Sequence, residues 1–199
     1  MTKPWLDTLN EGRKTREAIS GSIPILETDR FTLRAPQLSD WPILEPIWTS
    51  HRGSFIGGPF SEHDAFLDYC QATAGWTFRG YGPFTVVEKE TDEILGLIGI
   101  FHDYGDPAPE AGWLITETAE GKGIAFEAAS AVLDWVRLDL KLPRLVSFIA
   151  IGNQRSVNLA KRLGAKYVET REYHDGPFFE YEHDTSPVDT GSKKDAGHD

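Results

Sequence analysis

The chain of 199 residues contains one cysteine, Cys70, and therefore cannot form an internal disulfide. A single thiol suits a reducing compartment better than an oxidising one. No apolar run approaches the roughly 18–20 residues that a helix needs to cross a bilayer. Residues 1–20 also lack the apolar stretch of a secretory signal. We therefore expect a cytoplasmic protein with no membrane partner.

Positive charge is scarce, since 20 Lys and Arg residues face 31 Asp and Glu residues and the net charge is −11. Nucleic-acid binding needs a basic face to neutralise phosphates, so the sequence predicts no nucleic-acid partner. An acidic protein still permits a cationic partner such as an amine or a basic peptide. The simpler interpretation of the charge is solubility.

The chain is long enough for one domain with extensions at its ends. Residues 1–22 are predicted to be an N-terminal extension with a loose or accessory helix, and residues 185–199 a polar, disordered tail. Residues 23–184 alternate between strand-like and helix-like patterns, which indicates a mixed α/β domain. Strands are expected at 31–35, 84–88, 93–101, 110–115, 144–151, 166–172 and 178–183. Helices are expected at about 39–51, from 61 onward, at 121–140 and at 153–163.

The most informative segment is residues 120–125, which reads Glu-Gly-Lys-Gly-Ile-Ala and which we call the glycine loop. It joins a predicted strand to the start of a long amphipathic helix. Gly121 and Gly123 let the backbone bend tightly and bring its N–H groups close to a ligand. The helix N-terminus adds unpaired N–H donors and a partial positive charge. The spacing fits neither a dinucleotide fingerprint nor a P-loop, yet it predicts a site for a diphosphate.

Three segments, in this order, resemble the GNAT N-acetyltransferases, and most closely the RimJ/RimL-like branch that acetylates ribosomal-protein N-termini. Residues 27–34 are similar to the pattern E-T-x-R-L-x-L-R, and residues 153–165 to N-x-x-S-x-x-L-x-x-x-x-G-[FA]. The glycine loop is similar to [QR]-x-x-G-x-[GA] at its glycine and alanine positions. It departs from the pattern at Glu120, where Gln or Arg is usual. The resemblance covers about residues 25–183.

The resemblance implies an α/β (α+β) fold in which helices flank a mixed, mostly antiparallel central sheet. Two central strands, 110–115 and 144–151, would be splayed, with acetyl-CoA as co-substrate between them and no metal. A carboxylate near phosphates is repelled, so Glu120 is expected to turn into solvent. The resemblance places the pantetheine arm along Leu114 and Ile115 and a polar contact to it at Asn153. It places the pyrophosphate on the loop backbone, at Gly121, Lys122, Gly123, Ile124 and Ala125.

The resemblance also implies direct attack of a primary amine, on a protein N-terminus or a small molecule, on the thioester. The family allows a homodimer as well. Glu110 is the candidate base, with His102 and Asp103 as alternatives. Many relatives carry a general-acid tyrosine at the position of Ala160, and alanine cannot replace it. Ser156 is therefore the candidate partner of the departing thiolate.

Several of these assignments have structural alternatives. Asn153 is equally suited to cap a helix in which Ser156 is only the third residue. Aromatic and aliphatic side chains near the first loop line either the acceptor side or the core: Trp48, Phe55, Ile56 and Phe60. The missing tyrosine and the acidic Glu120 also leave room for a catalytically silent acyl-CoA-binding module, or for a domain that keeps the fold without a ligand.

Overall fold

The structure is a computed structural model that describes residues 4–6, 10–173 and 176–187. Most of the predicted tail lies outside these ranges, and so does Asp175, which the sequence predicts to form a turn with Gly176 and Pro177. The division into extension, domain and tail therefore stays a prediction. Within the described ranges, no helix is both long and apolar enough to cross a bilayer.

A single eight-stranded sheet forms the centre of the protein, in the order β1-β2-β3-β4-β5-β6-β8-β7. Neighbouring strands run antiparallel except β5 and β6, which are parallel. The predicted mixed, mostly antiparallel sheet is thus confirmed. The strands are β1 (Leu26–Glu27), β2 (Phe31–Arg34), β3 (Pro83–Glu88), β4 (Ile94–Phe101), β5 (Glu110–Ile115), β6 (Val146–Ala150), β7 (Lys166–Tyr173) and β8 (Gly176–Glu182).

The part of the chain that the structure describes also contains six α-helices: α1 (Arg13–Gly21), α2 (Trp41–Leu44), α3 (Pro46–Thr49), α4 (Glu62–Arg79), α5 (Ile124–Trp135) and α6 (Gln154–Arg162). Helix α1 lies in the predicted N-terminal extension and buries none of its residues. Helix α4 begins as predicted, because the hydroxyl of Ser61 accepts a hydrogen bond from the backbone N–H of Asp64.

Helix α5 covers the middle of the sheet and belongs to the main core. Its buried face carries alanines and branched aliphatics, as the sequence predicts, and packs against strands that include β4 and β5. The helix begins at Ile124 rather than at residue 121, because Gly121 and Gly123 adopt positive φ angles of 73° and 78°. After Trp135 it continues as a wider π turn, Val136–Leu140. Residues 120–123 of the glycine loop therefore lie outside the helix, and Ile124 and Ala125 form its first turn.

The predicted helix at 39–51 is wrong as a single element. Helix α2 ends at Leu44, α3 begins at Pro46, and a 3-10 turn follows at His51–Phe55. Pro46 has no backbone N–H and cannot continue the hydrogen bonding of α2, so the helix is interrupted there.

The sequence offers Ser39 or Asp40 as the cap of the first predicted helix, but the Asp40 side chain makes no capping hydrogen bond to α2. Its buried carboxylate accepts from the Arg34 guanidinium at 2.8 Å, from the Thr85 hydroxyl at 2.7 Å and from the backbone N–H of Gln37 at 2.9 Å. Because Arg34 lies on β2 and Thr85 on β3, Asp40 ties the first helical segment to two strands.

Asp40→Ala should lower the free energy of unfolding by about 3 kcal/mol, since it leaves a partly buried guanidinium and a buried hydroxyl without their acceptor. This is the lower end of the usual range for a broken buried pair, because a quarter of the Arg34 side chain still reaches solvent. Urea unfolding measures the change. Glu17→Ala, which removes the exposed pair with Arg13, is the matched control and should cost less than about 0.5 kcal/mol. Equal losses in the two variants would contradict this account.

Candidate active site

Strands β5 and β6 separate almost as soon as they meet. Their only register pair is Glu110 with Val146, whereas β4 and β5 pair along six positions. Past this pair, side chains replace the missing ladder bonds. The carboxylate of Glu110 accepts from the backbone N–H of Phe148 at 3.0 Å, and the hydroxyl of Ser147 donates to the carbonyl of Ala111 at 2.6 Å. The splayed central strands predicted from the sequence are present.

Near the point where β5 and β6 separate, His183 forms a hydrogen bond with Ser147. The proton of Ser147 goes to Ala111, so the Ser147 oxygen accepts from His183 Nε2–H at 2.9 Å and the imidazole is neutral. Burial lowers the pKa of His183 to about 4, with the nearby Arg137 guanidinium adding to the effect. The opening in the sheet is thus held by a buried hydrogen-bonded network.

A cleft of about 340 Å³ occupies the space between the two strands, and we call it the central cleft. One end is acidic, with Asp68, Asp103, Asp106 and Glu110. The other end is lined by the start of α6, including Asn153 and Ser156. Residues 54–57 lie along its edge.

Glu110, the predicted base, lies in the central cleft where β5 and β6 separate. Burial raises the pKa of its carboxyl group to about 8, with Asp106 and Asp103 adding to the rise and the Phe148 N–H opposing it. Of the two alternatives, Asp103 lines the cleft. His102 is instead paired through Nδ1 with the Tyr81 hydroxyl at 2.8 Å.

The acidic end concentrates negative charge in a partly buried space. Burial is the main cause that raises the pKa of Asp103 to about 6, and the carboxylates of Asp68 and Asp106 raise it further. Burial also raises the pKa of Asp68. Among the described residues that line the cleft, none is Lys, Arg or His. A cation entering this end would meet several acidic side chains and no basic side chain on the described lining.

Asn153 and Ser156 lie together at the other end of the cleft. Asn153 caps α6, since its side chain accepts from the backbone N–H of Ser156 at 3.2 Å, so the capping alternative is confirmed. Ser156 also accepts from the indole N–H of Trp113 at 3.1 Å. Its own hydroxyl proton is therefore directed elsewhere. Ala160, at the position of the usual tyrosine, is completely buried.

The backbone of β5 offers hydrogen-bonding groups to the cleft at alternate residues. The carbonyls of Ala111 and Ile115 face away from β4, because they accept from Ser147 and from Arg52. Since backbone groups alternate along a strand, those of Trp113 face the same open side and those of Leu114 face β4. An extended arm in the cleft would pair with Trp113 and with the N–H of Ile115 rather than with Leu114.

The glycine loop presents N–H groups at the N-terminus of α5. The first helical bond runs from Glu127 N–H to the Gly123 carbonyl at 3.2 Å, so the N–H groups of Ile124 and Ala125 have no helical partner. Arg30 holds the loop from outside, donating to the Lys122 carbonyl at 3.2 Å and pairing with Glu127 at 2.8 Å. The loop therefore presents N–H groups without a helical partner at the start of α5, as an anion site requires.

Glu120 does not turn into solvent, contrary to expectation. Its carboxylate forms ion pairs with Arg52 and with Arg155. Burial alone would raise its pKa, but hydrogen bonds from the two guanidinium groups outweigh that effect and hold the pKa below its ordinary value. The negative charge is thus neutralised locally, where the sequence gives no hint of a partner.

The apolar residues near the first loop divide between the two interpretations. Trp48 is fully buried and Phe60 packs against the same core cluster, whereas Phe55 and Ile56 are exposed and line the central cleft. The residues that complete the site were missed because their partners are distant in sequence: Arg30, Arg52, Asp68, Asp106, Trp113, Ser147 and Arg155. Only Arg30 and Arg155 lie within a recognised motif.

Comparison with known proteins gives consistent matches. Residues 30–166 match a family model described as an acetyltransferase (GNAT) domain. The N-acetyltransferase p20 of Bacillus licheniformis, itself uncharacterised, is 28% identical over 142 residues, covering 69% of this chain and 80% of that protein. A crystal structure of an acetyltransferase from Agrobacterium tumefaciens superposes with a TM-score of 0.76 at 36% identity, covering 81% of this chain and 95% of that one.

A more distant solved structure is RimL, a ribosomal-protein alpha-N-acetyltransferase in complex with coenzyme A. Its TM-score is 0.64 at 18% identity, covering 80% of this chain and 97% of that one, so the likeness concerns the fold alone.

Gly123→Val should weaken coenzyme A binding at least tenfold, because a side chain at this positive φ distorts the loop and shields its N–H groups. Isothermal titration with coenzyme A measures the effect. Gly164→Val is the matched control: its φ of 85° imposes similar strain at the end of α6, away from the cleft. Both variants should lose stability, and only Gly123→Val should lose affinity. Equal affinities would place the phosphates elsewhere.

Proposed function

The chain belongs to the GNAT acetyltransferase family, and from this premise we propose that it transfers the acetyl group of acetyl-CoA to a primary amine by direct attack. The observation that carries the proposal is the open central cleft between β5 and β6, which holds a group of partly buried carboxylates at one end. A donor and an acceptor entering from opposite ends would meet between β5 and β6.

On this proposal the pyrophosphate of acetyl-CoA binds the backbone between Gly121 and Ala125. The pantetheine arm extends β5 as an added strand, using the backbone of Trp113 and the N–H of Ile115. The amide of Asn153 contacts the arm beyond its capping bond. These groups are neutral, so binding needs no metal and few basic side chains.

The acidic end of the cleft supports an amine acceptor. An amine reaches the enzyme largely as an ammonium ion, and the carboxylates of Asp68, Asp103 and Asp106 attract it electrostatically. The acceptor is either a small amine or a protein N-terminus. The name of the RimL neighbour favours the second, and the exposed Phe55 and Ile56 at the edge of the cleft offer apolar contact to either.

Glu110 serves as the general base in this mechanism. One of its oxygens holds the Phe148 N–H, which leaves the other to take a proton from the ammonium, directly or through a water. With a pKa near 8, the group exchanges protons close to neutral pH. The free amine then attacks the thioester carbonyl, the new C–N bond forms and the C–S bond breaks. The proton that the nitrogen must still lose passes to the departing thiolate, directly or through water, and the products are a neutral amide and a free thiol.

Ser156 receives the departing thiolate. The Trp113 indole N–H occupies an acceptor site of the Ser156 oxygen, so the hydroxyl proton is free to point at the sulfur. A Cys-like thiol has a pKa of about 8.5 in water, and one hydrogen bond to the thiolate lowers the free-energy barrier to its departure.

A second candidate function is a catalytically silent acyl-CoA-binding module. The observation in its favour is Ala160, which is buried and has no proton to give at the position where many relatives carry a tyrosine.

Thermal unfolding with acetyl-CoA, followed by thiol release over a panel of amines and N-terminal peptides, separates the candidates. Stabilisation together with thiol release supports the acetyltransferase, and stabilisation without release across the panel supports the silent module. No stabilisation by acetyl-CoA would end both proposals.

The rate should rise with pH through an apparent pKa near 8, as Glu110 loses its proton and becomes able to accept one. Glu110→Gln keeps an oxygen for Phe148 but cannot take a proton, so it should lower kcat about 10²–10⁴-fold and remove this limb. An alkyl amine with a pKa near ~10.4 is the suitable acceptor, because its own titration falls outside the range. An unchanged profile in Glu110→Gln would assign the base elsewhere.

The thermal stability of Glu110→Gln provides an independent test of the raised pKa of Glu110. The folded pKa of Glu110 lies above its unfolded value, so its stabilising contribution is complete below about pH 4.5 and is lost as the pH rises through 8. The melting temperature of the wild type should therefore fall more than that of Glu110→Gln between pH 6 and pH 9.

Ser156→Ala should lower kcat about tenfold and leave the KM for acetyl-CoA nearly unchanged, because the hydroxyl acts on the leaving group. Trp113→Phe removes the indole N–H together with part of the ring, and should lower kcat in the same direction by less. In the double variant the two effects should not add, since both act through one hydroxyl. Full additivity, or an unchanged kcat in Ser156→Ala, would leave Ser156 as a helix residue only.

A further inference from the structure

Glu120, the residue that departs from the family pattern, joins parts of the chain that are far apart in sequence. It belongs to the glycine loop, and its two partners come from elsewhere. Arg52 lies in the 3-10 turn that follows α3, and Arg155 lies in the first turn of α6. The Glu120 side chain is 27% exposed, Arg52 17% and Arg155 69%. The inner pair is therefore much better shielded from water than the outer one.

Arg52 makes a second contact on the donor side of the cleft. The same terminal nitrogen that meets Glu120 also donates to the carbonyl of Ile115 at 2.7 Å. This carbonyl is at the end of β5, on the edge that faces the opening. Arg52 thus touches both the strand that would receive the pantetheine arm and the loop that would receive the pyrophosphate.

The turn that carries Arg52 also forms an edge of the central cleft. Ser54, Phe55, Ile56 and Gly57 line the cleft directly after it. The turn is tightly built: Gly53 N–H donates to Ser50, and the Gly53 carbonyl accepts from Ile56 and Gly58. A Cβ on Gly53 would come within 2.3 Å of the Trp48 carbonyl. Because the turn cannot deform easily, fixing Arg52 also fixes the edge of the cleft at residues 54–57.

We propose that Arg52 and Glu120 form a positioning pair that couples acetyl-CoA binding to the acceptor edge of the cleft, residues 54–57. The proposal rests on the acetyltransferase function above. An acidic residue at position 120 can pair with Arg52, so it anchors the turn to the glycine loop. When acetyl-CoA orders the loop and the end of β5, the pair transmits that order to the acceptor edge.

Glu120 does not line the central cleft, so its replacement leaves the residues that line the cleft unchanged. Glu120→Gln, which introduces a residue usual for the family, should raise the KM for the amine about fivefold, as should Arg52→Gln. The double variant should be little worse than either single one. Arg155→Gln removes only the exposed outer pair and should change the amine KM less than about twofold. If Glu120→Gln leaves the amine KM within twofold of the wild type, the coupling is disproved.

Amide hydrogen exchange provides a readout that does not depend on turnover. Acetyl-CoA should slow exchange at Gly53, Ile56 and Gly58 in the wild type and in Arg155→Gln. The same addition should leave these amides unprotected in Glu120→Gln and Arg52→Gln. Protection that persists in Glu120→Gln would overturn the inference while leaving the proposed function intact. A wild type that does not bind acetyl-CoA would instead overturn the proposed function and this inference with it.

Discussion

The opening between β5 and β6 depends on replacing backbone hydrogen bonds with side-chain ones. Unpaired N–H and C=O groups in a buried sheet are costly, so two parallel strands normally stay paired. Here the Glu110 carboxylate takes the Phe148 N–H, and the Ser147 hydroxyl, supported by His183, takes the Ala111 carbonyl. These bonds let the strands diverge with few backbone N–H and C=O groups left unsatisfied. The divergence of the strands creates the cleft.

The charge distribution around the cleft follows from how each end is built. At the glycine loop, backbone N–H groups and the start of α5 supply positive potential, so an anion could bind there with few basic side chains. At the other end, Asp68, Asp103, Asp106 and Glu110 are brought together from three segments, in space that no Lys, Arg or His among the described lining residues shares. The strongly negative chain thus concentrates part of its charge where a cationic substrate would arrive.

The sequence predicted the fold well because its signals are local. The strand 110–115, the buried face of α5 and the caps at Ser61 and Asn153 depend on neighbouring residues, and they appear as expected. The failures depend on distant partners. Asp40 was expected to cap a helix and instead binds Arg34 and Thr85, and Glu120 was expected in solvent and instead binds Arg52 and Arg155. No spacing rule connects residues 52 and 120.

Glu110 has two tasks on the proposed mechanism. It completes the hydrogen bonding of the sheet where the strands part, and it would also carry the mobile proton. If Glu110 is the base, a single substitution cannot move that role to another residue, because any replacement at position 110 must also supply an acceptor to Phe148. Among descendants of this chain, a relocated base should be accompanied by Gln, or another amide acceptor, at position 110.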